Sequence, residues 1–173
     1  DAVRRNVARV NPRAVVIEAA SVIDVEAPAV VRGKRVLAVE DGPTLTHGGM
    51  TIGAAVVAAR KFGAAEIVDP RPYLVGRLKE TFRTYPNIGA VLPAMGYGAG
   101  QLKDLEATIN AADCDAVMIG TPIDLNRIIK IKKPNTRVFY SLQEIGKPDF
   151  DAVLDPFVSE RLWSRKRRNA LRQ

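Results

Sequence analysis

Residues 40–50 run Glu40-Asp41-Gly42-Pro43-Thr44-Leu45-Thr46-His47-Gly48-Gly49-Met50 and contain the only histidine of the chain. Thr44, Thr46, His47, Gly48 and Gly49 bring hydroxyls, an imidazole and unhindered backbone N–H groups together, a set suited to a phosphate. An imidazole can hand a proton to a phosphoryl oxygen, which makes His47 the candidate catalytic acid. A plain tight turn at Gly48-Gly49, with His47 capping a helix, is the competing reading. Glu40 and Asp41 follow an apolar run. They are candidate Mg2+ ligands through water, or solvated charges at a strand end.

Three further loops carry polar groups. Gly96-Tyr97-Gly98-Ala99-Gly100 allows close backbone approach to a ligand, so Gly98 joins the phosphate-binding candidates. Its final spacing departs from the dinucleotide fingerprint. Arg71 and Arg77 are candidate phosphate ligands or surface ion-pair partners. Asp69 lies where a dinucleotide fold places an acid on a ribose, but without the glycine motif that should precede it. Thr121-Pro122-Ile123-Asp124 reads as a helix start with Thr121 as N-cap and Pro122 at the first helical position. Cys114 sits between Asp113 and Asp115, which disfavours a thiolate and a nucleophilic role.

These loops need elements to hold them. Strand-like apolar runs occur at 14–17, 36–39, 66–68, 88–92, 116–119 and 137–142. Helical patterns lie between the later ones. Residues 50–62 are apolar on nearly every side and end in Arg60, Lys61 and Gly63. Residues 72–84 space Leu74, Leu78 and Phe82 by four, and 101–112 carry Leu102, Leu105, Ile109 and Ala112. Alternating strands and helices predict an α/β fold with a doubly wound, mostly parallel, Rossmann-like sheet. In such a sheet ligands gather outside the carboxyl ends of the strands, where all these loops fall. The segment around 21–33 reads as a boundary, which divides the chain into 1–22, a connector 23–34, a Rossmann-like domain 35–150, and a basic C-terminal helix 151–173. Asp155-Pro156 is the expected start of that helix, with Val158, Leu162 and Trp163 docking it.

The composition narrows the function classes. Hydrophobic residues make up 47% of 173, enough for a packed core. No apolar run reaches membrane-spanning length, and one cysteine excludes an internal disulfide framework, so a cytoplasmic protein is expected. The net charge is +7, concentrated in Arg161, Arg165, Lys166, Arg167, Arg168 and Arg172 near the end and in Arg127, Lys130, Lys132 and Lys133. A solvated helix face is the favoured reading of the basic tail. Aromatics are only 6%, which weighs against nucleic-acid binding, while the charge suits a phosphorylated small substrate. No G-x-x-x-x-G-K-[ST] motif occurs, so the chain alone is not a complete P-loop NTPase.

The run from Glu40 to Met50, with Gly120-Thr121-Pro122-Ile123-Asp124-Leu125, resembles the carboxyl-terminal half of the cyclic 2,3-diphosphoglycerate synthetase family, which includes many proteins described only as P-loop GTPases. The resemblance extends to about Phe157. Val10-Asn11-Pro12-Arg13-Ala14-Val15-Val16-Ile17-Glu18-Ala19-Ala20-Ser21 resembles the last helix–strand step of P-loop GTPases, where the loop after the strand borders the nucleotide base. Ala19, Ala20 and Ser21 inherit that place by resemblance. The family implies ATP or GTP with Mg2+, a Walker A loop upstream of Asp1 in a longer protein, and ATP-dependent closure of an intramolecular phosphoanhydride. This chain would then hold the phosphorylated substrate, and the upstream NTPase domain the nucleotide. The alternatives are an NTP hydrolase of another substrate, and a non-catalytic nucleotide- or phosphometabolite-binding module. A homo-oligomer is compatible with either.

Overall fold

A computed structural model describes the backbone of residues 1–170 and the side chains to residue 160. Its centre is β2 (Arg35–Asp41), where Val36, Leu37, Ala38, Val39 and Glu40 are all 2% exposed or less. A strand apolar on both faces is what a sheet covered by helices requires. The other strands are β1 (Ala19–Val25), β3 (Glu66–Ile67), β4 (Leu92–Ala94), β5 (Ala116–Ile119) and β6 (Asn135–Glu144). They form one six-stranded sheet in the order β1-β6-β5-β2-β3, with β4 also on β2. The pairs β2–β3, β2–β4, β2–β5 and β5–β6 are parallel. The fold is therefore α/β, with a mostly parallel Rossmann-like sheet flanked by helices.

The helices of this region are α2 (Gly42–Thr46), α3 (Ala54–Lys61), α4 (Arg77–Thr84) and α5 (Ala99–Ala111). Small residues on α3 (Ala55, Ala58, Ala59) allow it close to the sheet, and all three are fully buried. Leu78 and Phe82 of α4, Leu105 and Ile109 of α5, and Leu37, Leu92, Met118 and Ile119 of the strands join one core. Burying a side chain of this size contributes about 1.5–3 kcal/mol.

Two compact units are present, Ile23–Tyr140 and a second that joins Asp1–Val22 to the residues from Ser141 onward. In the first, residues 23–34 are built in rather than loose: Ala27 N–H donates to Thr136 Oγ1 at 2.9 Å and Glu26 N–H to the Arg137 carbonyl at 3.1 Å. The second holds α1 (Ala2–Val10), which buries no residue, and α6 (Phe150–Ala170). Arg4 pairs with Glu18 at 2.5 Å, and Ile145 N–H donates to the Glu18 carbonyl. Among the described residues no helix is long and apolar enough to cross a membrane. The side chains of Arg161, Leu162, Trp163, Arg165, Lys166, Arg167, Arg168 and Arg172 lie outside the described residues.

Several boundaries differ from the sequence expectation. The run 14–17 is not a strand: Asn11 turns the chain by accepting from Arg13 and Ala14 N–H, and the strand forms at Ala19–Val25. Ala19, Ala20 and Ser21 are thus strand residues, not a loop after one. Strand pairing of 88–92 starts only at Leu92, because Gly89 N–H is taken by the Thr51 carbonyl and Val91 N–H by that of Gly89. The first turn expected at Pro72 is a separate 3-10 turn, and Gly76 at φ +55° breaks the chain before α4 begins. Pro156 lies inside α6 instead of opening it, and Asp149 caps the helix by accepting from Ala152 N–H at 2.9 Å. Thr121 opens no α-helix; Asp124 caps a 3-10 turn, Leu125–Arg127, by accepting from Asn126 N–H.

Candidate functional site

The chain leaves β2 toward β3 and β4 on one side, then crosses to β5 on the other. Between the carboxyl ends of β2 and β5 the connections diverge, and that crevice is where open parallel sheets bind ligands. β2 delivers Glu40 and Asp41 to it, and β5 delivers Gly120, whose N–H donates to the Val39 carbonyl at 2.7 Å. A cavity of about 410 Å3 opens there.

Glu40 is the anchor of this cavity. It is 2% exposed, and its Oε1 accepts from Gly53 N–H at 3.1 Å and Val56 N–H at 3.0 Å. These donors belong to the start of α3, so the helix dipole faces an internal carboxylate. The other oxygen is wedged between two glycines: a Cβ at Gly53 would lie 2.5 Å from Oε2 and one at Gly120 2.7 Å away. Burial raises the Glu40 carboxyl above its usual range, the three N–H groups of α3 oppose that shift, and the charge of Asp41 adds to it.

Around Glu40 the lining includes Asp41, Thr44, Ile52, Gly120 and Tyr140. Asp41 is half-buried, and its Oδ2 accepts from Thr44 Oγ1 at 3.4 Å. The Tyr140 phenol is pushed upward by burial and then by the Glu40 charge, so it stays a proton donor at neutral pH. Among the described residues no lysine, arginine or histidine lines this cavity. Chemically it offers two carboxyls, a hydroxyl and a phenol, a set that receives a cation or a hydrogen-bond-rich neutral group more readily than a polyanion.

The 40–50 motif is folded differently from a phosphate loop. Gly42 to Thr46 form α2, and Gly48 N–H donates to the Pro43 carbonyl at 3.1 Å. Gly48-Gly49 therefore closes α2, with Gly49 at φ +65°, and does not open α3. His47 is exposed, and its Nδ1 shares a 2.9 Å hydrogen bond with Thr46 Oγ1, which also donates to the Gly42 carbonyl at 3.0 Å. Thr46 and Gly49 line a smaller cavity of about 170 Å3 with Tyr85 and Asn87. Of the expected phosphate set, only Thr44 reaches the cavity of Glu40 and Asp41.

The remaining candidates are dispersed. Arg71 pairs with Asp69 at 2.8 Å, donates to the Ile88 carbonyl, and stacks over the Phe82 ring at 5.1 Å. Its guanidinium braces the fold. Asp69 also accepts from Arg71 N–H. Gly98 is the N-cap of α5, and its N–H donates to Gln101 Oε1 at 3.3 Å. Thr121 is buried and hydrogen-bonded to the Tyr97 hydroxyl at 2.9 Å, which ties the glycine-rich loop to the loop after β5. Burial pushes the Cys114 thiol up. No three His, Cys, Asp or Glu side chains converge among the described residues. Sequence reading placed Gly120 in a candidate loop without giving it a role, and missed Gly53 and Tyr140. A glycine directly after the apolar run 116–119, and another at the head of an alanine-rich helix, were the available signals.

A curated protein named arginine synthetase ArcE, from Thermococcus kodakarensis, is 60% identical to this chain over 153 residues, which cover 88% of the chain and 34% of that protein. The chain spans about a third of the length of this relative. The similarity is thus to a protein named as a synthetase, under a different name from the cyclic 2,3-diphosphoglycerate synthetase family. No protein-family model matches the chain, and no solved structure matches it.

Proposed function

We propose that this chain is part of an ATP-dependent synthetase-type enzyme, and that its β2–β5 cavity handles the guanidino or ureido end of an arginine-like amino acid. The observation that carries this reading is the acidic lining: Glu40 and Asp41 with Thr44 and Tyr140, and no basic side chain among the described residues. The name of the 60% identical relative supports the same substrate class. A diphosphorylated acid would meet two carboxyls and no counter-charge there, which disfavours the cyclising reaction implied by the motif resemblance.

Making a guanidinium from a ureido group needs the ureido oxygen converted to a leaving group. Under this reading the oxygen would attack the γ-phosphorus of ATP, with ADP departing. A nitrogen nucleophile then adds at the ureido carbon, loses a proton, and expels phosphate. Within the cavity Tyr140 supplies a donor to a neutral ureido group, and Asp41 and Glu40 supply the counter-charge for the guanidinium. Mg2+ would enter with the nucleotide, and Asp41, the less buried of the two carboxylates, would be its ligand. The nucleotide phosphates fall chiefly to other parts of the longer protein under this reading. His47 is exposed and outside the cavity lining, so its expected acid role would require a group presented from outside the cavity.

Calorimetry on the chain tests the assignment. Arginine or citrulline should bind, and Asp41→Asn should weaken arginine about tenfold or more, as expected for a lost charge-assisted hydrogen bond. Binding of 2,3-diphosphoglycerate with no response to arginine or citrulline would reverse the choice in favour of phosphoanhydride closure.

A further inference from the structure

A second cavity, of about 390 Å3, lies between α4 and α5 near the carboxyl end of β4, and nothing above assigns it a role. Its walls include Leu78, Met95, Leu105 and Tyr85, and its polar edge includes Gln101 and Asp104. Gln101, Asp104 and Leu105 share one face of α5, at spacings of three and four.

Both polar side chains are seated against glycines. The amide of Gln101 occupies the space over Gly96, where a Cβ would lie 2.5 Å from Nε2. The carboxylate of Asp104 occupies the space over Gly76, where a Cβ would lie 2.2 Å from Oδ1 and 2.3 Å from Oδ2. Their hydrogen bonds fix what each has left to offer. Gln101 Oε1 accepts from Gly98 N–H, which leaves the Nε2 hydrogens as donors. Asp104 Oδ2 accepts from Arg77 N–H at 3.0 Å, which leaves Oδ1 as an acceptor. Gln101 and Asp104, three residues apart on α5, thus bring a donor and an acceptor to the lining of one cavity, beside Arg77 and Glu80.

We infer that this cavity binds an adenine nucleoside. A flat ring enters between the apolar walls, its N1 accepts from Gln101, and its exocyclic amine donates to Asp104. Adenine presents that acceptor–donor pair, whereas guanine presents a donor at N1 and an acceptor at O6, the reverse. The volume is in the range of small-molecule sites, and the mixture of apolar wall and few polar groups is typical of them. The inference does not rest on the arginine assignment, since it concerns a different cavity and a different chemistry.

Methyl NMR of the 173-residue chain titrated with adenosine is the test. Saturable shifts are expected at Leu78, Met95 and Leu105, with guanosine about tenfold weaker or more. Asp104→Asn keeps an oxygen for Arg77 N–H and should weaken adenosine about tenfold. Met95→Trp should fill the slot and abolish the shifts, with the amide spectrum confirming that each variant is folded. No saturable shift at any concentration adenosine solubility allows would overturn the inference. So would equal affinity for adenosine and guanosine, or shifts confined to residues around Glu40.

Discussion

The two larger cavities have nearly the same volume, about 410 and 390 Å3, and each seats an acid against glycines. What surrounds the acid differs. Glu40 is held by backbone N–H groups of α3 and wedged between Gly53 and Gly120, so main chain fixes its carboxylate in place. Asp104 is only half-buried, and its carboxylate lies over Gly76 with one backbone donor, Arg77 N–H. The first cavity is therefore built into the core, and the second is laid on top of it. Changes in the first should cost stability and function together, and changes in the second should cost binding with a smaller loss of stability.

Gly120→Val is the strongest way to break the contrast. A Cβ there lies 2.8 Å from Ala55 N as well as 2.7 Å from Glu40 Oε2, so a backbone must move. A loss of about 3 kcal/mol is expected, at the upper end for overpacking, read from the urea midpoint. Glu40→Ala should cost about 2 kcal/mol, because Gly53 and Val56 N–H lose their buried acceptor. An unchanged midpoint would show that water replaces the carboxylate. Gly76→Ala should cost about 1–2 kcal/mol, mainly from a backbone at φ +55° and ψ −130° that L residues rarely adopt, while displacing Asp104 from its seat. A cost equal to that of Gly120→Val would erase the distinction between the cavities.

The smallest effect is a pH slope. Burial raises the Glu40 carboxyl above its ordinary 4.5. Between that pH and its folded value the native state keeps a proton that the unfolded chain has released. The contribution of Glu40 to stability therefore falls as pH rises through that window, and is level above it. Glu40→Gln should remove this part of the slope, measured as the difference between wild-type and variant melting temperatures across the window.

Much of the architecture was legible because the apolar runs at 36–39 and 116–119 are continuous, as strands buried on both faces must be. The site was legible in part. Glu40 and Asp41 were placed correctly at a strand end, but the double glycine pointed to the wrong helix terminus. Glycine after a threonine-rich turn closes a helix as readily as it opens one, and only the Gly48 bond to Pro43 decides. Tyr140 was hidden because its partner in space, Glu40, lies 100 residues earlier in the chain. Pro156 misled for a related reason: Asp149, seven residues before it, supplied the cap instead.

One edge of β2 is shared between two short strands, β3 against Arg35 and Val36 and β4 against Val39, Glu40 and Asp41. The chain between them departs from that edge and returns to it. Such an excursion can lengthen, shrink or be exchanged among descendants without altering strand order, provided the Gly89 bond to Thr51 beside the β2–β5 crevice is kept. It contains α4, one wall of the second cavity. Evolution can thus retune what that cavity accepts while the chemistry around Glu40 is inherited intact, and a chimera that swaps only this excursion would be the natural laboratory form of the same step.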